Sequence, residues 1–129
     1  MTQDHAILSF DSLTAPRPDG IRQGHSDVRH LVYKGSLLEI TLQVNTNSTS
    51  MTIVGHLAAG PGRRIVPDAR VCLIGDHNRM ETRSDQGGQF MFEKIPSLSY
   101  SVEISYDDVG VTIDRVPPPK VEPLQIPPR

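Results

Sequence analysis

Residues 66–100 are broken by turn signals at short, regular intervals. Pro67-Asp68 precedes the run Val71-Cys72-Leu73, Gly75-Asp76-His77-Asn78 follows it, Ser84-Asp85-Gln86-Gly87-Gly88 leads into Phe90-Met91-Phe92, and Ile95-Pro96-Ser97-Leu98-Ser99 leads into Tyr100. Proline fixes φ and removes a donor, and glycine and aspartate favour tight turns, so this stretch reads as short strands joined by turns. The flanking sequence has the matching period. Leu38, Ile40, Leu42 and Val44 alternate with Glu39, Thr41, Gln43 and Asn45, and Tyr100, Val102, Ile104 and Tyr106 alternate with Ser101, Glu103 and Ser105. A strand built from either run carries one apolar and one polar face. No segment has a helical period.

The remaining chain extends this pattern. Residues 28–33 and 37–44, linked by Lys34-Gly35-Ser36, read as a hairpin. Residues 51–58, 69–74, 79–84, 89–92 and 109–116 are further strands, with Asp107-Asp108 as the last turn. Ala6-Ile7-Leu8-Ser9-Phe10 reads as an edge strand, followed by a turn-rich stretch with Pro16, Pro18, Gly20 and Gly24. Six of the eleven prolines fall after Val116, a composition that favours extended polyproline geometry. The expected fold is all-β, an antiparallel β-sandwich of about seven to nine short strands with an added N-terminal hairpin. Its expected parts are an N-terminal extension over 1–27, a sandwich domain over 28–116 and a proline-rich tail over 117–129.

Composition narrows the function classes. A chain of 129 residues buries a single core without disulfides. Interspersed charges with a formal net of −2 give no electrostatic footprint for nucleic acid. No apolar run approaches the roughly 20 residues of a membrane-spanning helix. Cys72 is the only cysteine, and the first residues lack the basic and apolar regions of a secretory signal. A cytoplasmic location is therefore expected if Met1 is the native start, and an exported one otherwise.

Over residues 52–104 the order of signals resembles the carboxypeptidase regulatory-like domain, a transthyretin-like (prealbumin-like) β-sandwich. The residues that carry the resemblance are Gly55, Pro67-Asp68-Ala69-Arg70-Val71, Ser84-Asp85-Gln86-Gly87-Gly88-Gln89-Phe90, Ile95-Pro96 and Tyr100. Ser84 stands where that family has Thr, and Leu98 where it has Gly before the Tyr. The turn has a physical sense of its own: Asp85 accepts backbone hydrogen bonds, Gly88 takes a positive φ, and Phe90 enters the core. The resemblance implies a module that adjoins or supports other domains rather than one that performs chemistry.

No chemical constellation competes strongly with that implication. The histidines His5, His25, His30, His56 and His77 lack metal-ligand spacing, so neither a metal nor any other cofactor is expected. Cys72 reads as an inert, partly buried thiol in a core strand. An enzyme resembling transthyretin-like 5-hydroxyisourate hydrolases is the alternative, with His56 and Arg70 as its candidate groups, but the C-terminal Tyr-Arg-Gly-Ser motif of those enzymes is absent. A ligand-binding or adhesion sandwich is a further alternative, requiring Tyr33 and Tyr106 to be exposed side by side. The favoured expectation is a non-catalytic interaction, assembly or regulatory module with a protein partner. Its candidate surfaces are a sheet edge that also permits a homodimer, the arginines Arg63, Arg64 and Arg70, and the tail prolines Pro117, Pro118 and Pro119.

Overall fold

The computed structural model describes residues 2–12, 28–46 and 50–117. Eleven strands and no helix are found among them: β1 (Thr2–His5), β2 (Ile7–Asp11), β3 (Val28–Lys34), β4 (Leu38–Thr46), β5 (Ser50–Ala59), β6 (Arg64–Ile65), β7 (Arg70–Ile74), β8 (Arg79–Arg83), β9 (Gln89–Pro96), β10 (Tyr100–Tyr106) and β11 (Val109–Val116). They form two packed sheets, one ordered β1-β11-β10-β7-β8 and the other β2-β3-β4-β5-β6 with β9 also paired to β5. The protein is an antiparallel β-sandwich in which β1 alone runs parallel to its neighbour, β11, among the described strands. The count exceeds seven to nine because β1 has no apolar alternation and β6 is two residues inside what reads as a loop.

The alternating runs lie where their period requires. In β4, Leu38, Ile40, Leu42 and Val44 are buried, and Thr41, Gln43 and Asn45 are exposed. The hairpin of β3 and β4 belongs to the sheet of β5, because β4 pairs with β5 from Leu38↔Ala59 to Thr46↔Met51. Facing it across the core are Val71 and Leu73, Val102 and Ile104, and Val111 and Ile113. Fully burying one such aliphatic side chain contributes about 1.5–3 kcal/mol.

The N-terminal segment ties the two layers together. The chain leaves β1 in one sheet and enters β2 in the other through buried Ala6, whose N–H donates to the Thr112 carbonyl at 3.0 Å. The Asp4 carboxylate accepts the N–H of His5 at 2.9 Å and that of Leu37, in the β3–β4 turn, at 3.0 Å. Partial burial raises its pKa, but hydrogen bonds from Leu37, His5 and Ser36 outweigh this and hold it below the usual carboxylate value. Gly35 leaves room for this clamp, since a Cβ there would lie 2.4 Å from Asp4 Oδ2.

A second fastening lies at the Asp85 turn. Asp85 Oδ1 accepts the N–H groups of Gly87 and Gln89, both at 2.9 Å. Gly88 has φ of 78° and its carbonyl accepts the Leu57 N–H at 2.9 Å, which hooks the turn onto β5. The buried Ser84 hydroxyl accepts the Ala69 N–H at 2.8 Å and donates to the Val66 carbonyl at 2.7 Å. A Cβ on Gly88 would approach Leu57 O and Ile65 Cγ2 to 2.9 Å. Gly88→Ala therefore combines left-handed backbone strain with a backbone clash, and is expected to destabilise by about 1–3 kcal/mol. Thermal unfolding followed by circular dichroism should show a midpoint about 4–12 °C lower; an unchanged midpoint would mean that the turn relaxes without loss. After β9, Leu98 makes a three-residue turn by donating its N–H to the Pro96 carbonyl at 2.8 Å, with its side chain exposed rather than packed.

Candidate functional site

The outer strand of a sheet displays unpaired backbone N–H and C=O groups, so its side chains decide whether another chain can pair with it. At one end of the first sheet, β8 exposes Arg79, Glu81 and Arg83. These charges are engaged: Arg70 lies 2.9 Å from Glu81, and Arg83 lies 3.3 Å from Asp68. The hydrogen bond from Arg70 holds the Glu81 carboxyl below its ordinary value. An approaching strand would have to desolvate this charge layer.

At the end of the other sheet, β2 has the opposite character. Ile7 is 68% exposed, Leu8 37% and Phe10 43%, and no charge occurs before Asp11. Asp11 points inward and is buried against Arg29, whose Nε donates to Asp11 Oδ1 at 2.9 Å while Nη2 donates to Oδ2. The register explains the directions. Ile7 pairs with Lys34 and Phe10 with Val32, which places both on the outward face, whereas Leu8 pairs with Tyr33 and Asp11 with Leu31, on the inward face. The register shift between Leu8 and Phe10 is a bulge at Ser9 that re-aims Phe10 outward. Beside β2, between the sheets, runs an open groove of about 380 Å³ lined by Ala6, Leu8, Tyr33, Ile113, Asp114 and Arg115 among others. Tyr33 forms its floor, with its hydroxyl donating to the Arg115 carbonyl at 3.2 Å; burial pushes this phenol's pKa up.

The candidates taken from the sequence are dispersed over the molecule. Arg63 sits in the turn before β6 with φ of 52° and reaches Glu39 at 2.7 Å, and Arg64 is exposed at the start of β6. Arg70 belongs to the other sheet, so the three arginines make no single cluster. His56 is exposed on the outward face of β5, opposite Thr41 and Gln89, while Arg70 is on the outward face of β7. These two candidate groups therefore point away from opposite sides of the sandwich. Tyr33 is buried and Tyr106 is half-buried against the core, so they form no exposed pair. Asp85, Gly88 and Phe90 make the turn described above. Pro117 accepts a hydrogen bond from the Ser99 hydroxyl at 3.3 Å, and Pro118 and Pro119, like the turn-rich stretch 13–27, lie outside the described residues.

Cys72 is buried, but on the side of β7 away from the core. Val71 and Leu73 turn inward, and the thiol is covered by Arg79 Nη2 and Glu81 Oε1, each 3.7 Å from Sγ. Among the described residues no three His, Cys, Asp or Glu side chains converge as a metal site, and no helix is long and apolar enough to cross a membrane. The buried Asp11–Arg29 pair escapes a reading of the sequence because its members are joined only through the turn-rich stretch. The one available signal is Asp11 itself, closing an apolar strip.

Comparisons of the chain with family models, curated proteins and solved structures give no match.

Proposed function

We propose that the chain is a non-catalytic, transthyretin-like β-sandwich module for protein interaction or assembly, and that it engages its partner along β2. The observation that carries this reading is the contrast between two sheet edges: β8 exposes Arg79, Glu81 and Arg83, whereas β2 exposes Ile7, Leu8 and Phe10. A strand laid along β2 pairs its backbone with the edge that no described strand occupies, meets Ile7 and Phe10 on the outward face, and finds the groove beside Leu8 on the inward face. Backbone pairing supplies affinity in this mode, and alternate side chains supply selectivity. The transthyretin-like part of the proposal is supported by the Asp85 turn, its hook onto Leu57 and the placement of Phe90 over Gly55. A hydrolase of the kind considered above needs His56 and Arg70 at one substrate, and their opposite orientations favour the module instead.

The reading is tested by placing a photo-reactive amino acid at Ser9 or, as a control edge, at Arg79, and irradiating cells that make the protein. Covalent adducts are expected at Ser9 and not at Arg79. Equal adducts at both positions, or adducts at Arg79 alone, would remove β2 as the docking edge.

A further inference from the structure

We propose that the occupant of the β2 edge is β2 of a second copy of this chain, paired antiparallel about a two-fold axis with Ile7 of each copy opposite Phe10 of the other. This inference rests on the reading of β2 as the docking edge and adds the identity of what docks there.

Charge is the first argument. Residues 7–10 carry none, and Asp11 is already ion-paired with Arg29 inside the sandwich. The charge beside Ile7 on the outward face, Lys34, lies 3.8 Å from Glu39 of its own sheet. Two copies therefore meet along β2 without the like-charge repulsion that two β8 edges, with Arg79 and Arg83, would suffer.

Side-chain direction is the second argument. Residues opposite one another in an antiparallel pair share a face. Ile7 and Phe10 both face outward, so the register that sets Ile7 against Phe10 joins the exposed apolar groups of one copy to those of the other, with Val32 of each copy flanking them. Sliding by one residue either way sets Ile7 against Ser9 or against inward-facing Asp11, and Phe10 against buried Ala6 or inward-facing Leu8, so the two outward apolar groups no longer meet. Isologous contact of this kind closes after two copies and builds no filament. In the other layer β1 is also the end strand of its sheet, joined to β2 through Ala6, so both layers end on the side that the second copy approaches.

A strand pair this short is smaller than the roughly 1,600 Å² of a standard interface, so the dimer is expected to dissociate in the range of tens of micromolar. Sedimentation velocity of the full chain from about 1 to 300 µM should show a concentration-dependent monomer–dimer equilibrium on that scale. I7K and F10E should each weaken self-association at least tenfold, with circular dichroism showing that each variant is folded. The double variant I7K/F10E should recover most of the loss, because this register sets each new ammonium opposite a new carboxylate. A wild-type chain that stays monomeric at the highest concentration, a dimer indifferent to both single changes, or a double variant no better than the singles would each overturn the proposal. A monomeric wild type together with Ser9 adducts to a different protein defeats the second copy and leaves the docking edge standing. Absence of any Ser9 adduct, with a monomeric wild type, removes both.

Discussion

Arg29→Ala is expected to lower the free energy of unfolding by about 3–5 kcal/mol, a large part of the ~5–15 kcal/mol that holds a domain of this size together. The guanidinium contacts both carboxylate oxygens of Asp11 in a setting where both residues are buried, at 7% and 6% exposure. Removing one member takes this two-point contact from the other, which stays buried, and the loss of that buried ion pair dominates. Asp11→Ala should therefore be comparably severe. Replacing both with apolar residues of similar size, as in D11L/R29M, should restore most of the stability, because neither charge then has to be desolvated. Urea unfolding of the four proteins provides the measurement. Single variants within about 1 kcal/mol of wild type would mean that water reaches the pair. Because the pair pins β2 to β3, the single variants should also loosen the proposed docking edge.

Gly55→Val should be of similar severity. A Cβ at this position would fall 2.1 Å from Phe90 Cζ and 2.4 Å from Cε2, so the ring occupies the space that any side chain there requires. Phe90 cannot yield easily: it is buried and packs edge-to-face on Phe92, with centroids 6.1 Å apart and planes at 73°. Overpacking a filled site costs about 1–3 kcal/mol and occasionally more, and a branched side chain against a fixed ring belongs at the upper end. The contact is specific, so G55A with F90L should be less destabilising than the sum of the two single changes, by about 0.5–3 kcal/mol. Strict additivity in denaturant melts would show that Phe90 moves aside freely and that this glycine is replaceable.

The residues behind these two predictions differ in how visible they are before folding. Gly55 and Phe90 belong to strands whose alternation and bounding turns announce them, and a glycine inside a strand already suggests close approach by a neighbour. The 28–44 hairpin and the amphipathic β4 and β10 are legible for the same reason: one face of each meets the core and the other meets solvent. Arg29 and Asp11 give no such notice, because a charged pair can be buried only when the fold brings both members together. Cys72 misleads in the reverse direction. Its apolar neighbours suggest the core, whereas strand alternation turns it outward, where Arg79 and Glu81 cover it. The candidate site is half legible. The strip from Ala6 to Phe10 reads as an edge strand, but the bulge that turns Phe10 outward beside Ile7 depends on pairing with β3 and has no local signal.

The parallel pairing of β1 with β11 also sets an order of events. β11 is the last strand described in the chain and β1 the first, so residues 2–5 have no place in a sheet until every other described strand has been made. On a ribosome the beginning of this domain waits for its end, and contacts so distant in sequence are slow to close. Until then Ala6 has no Thr112 carbonyl to bind and the Asp4 clamp on the β3–β4 turn has no anchored strand behind it. Completion of the sandwich is thus marked by the capture of its own N-terminal residues, and a nascent chain halted before β11 leaves β1 to whatever chaperone or neighbouring chain reaches it first.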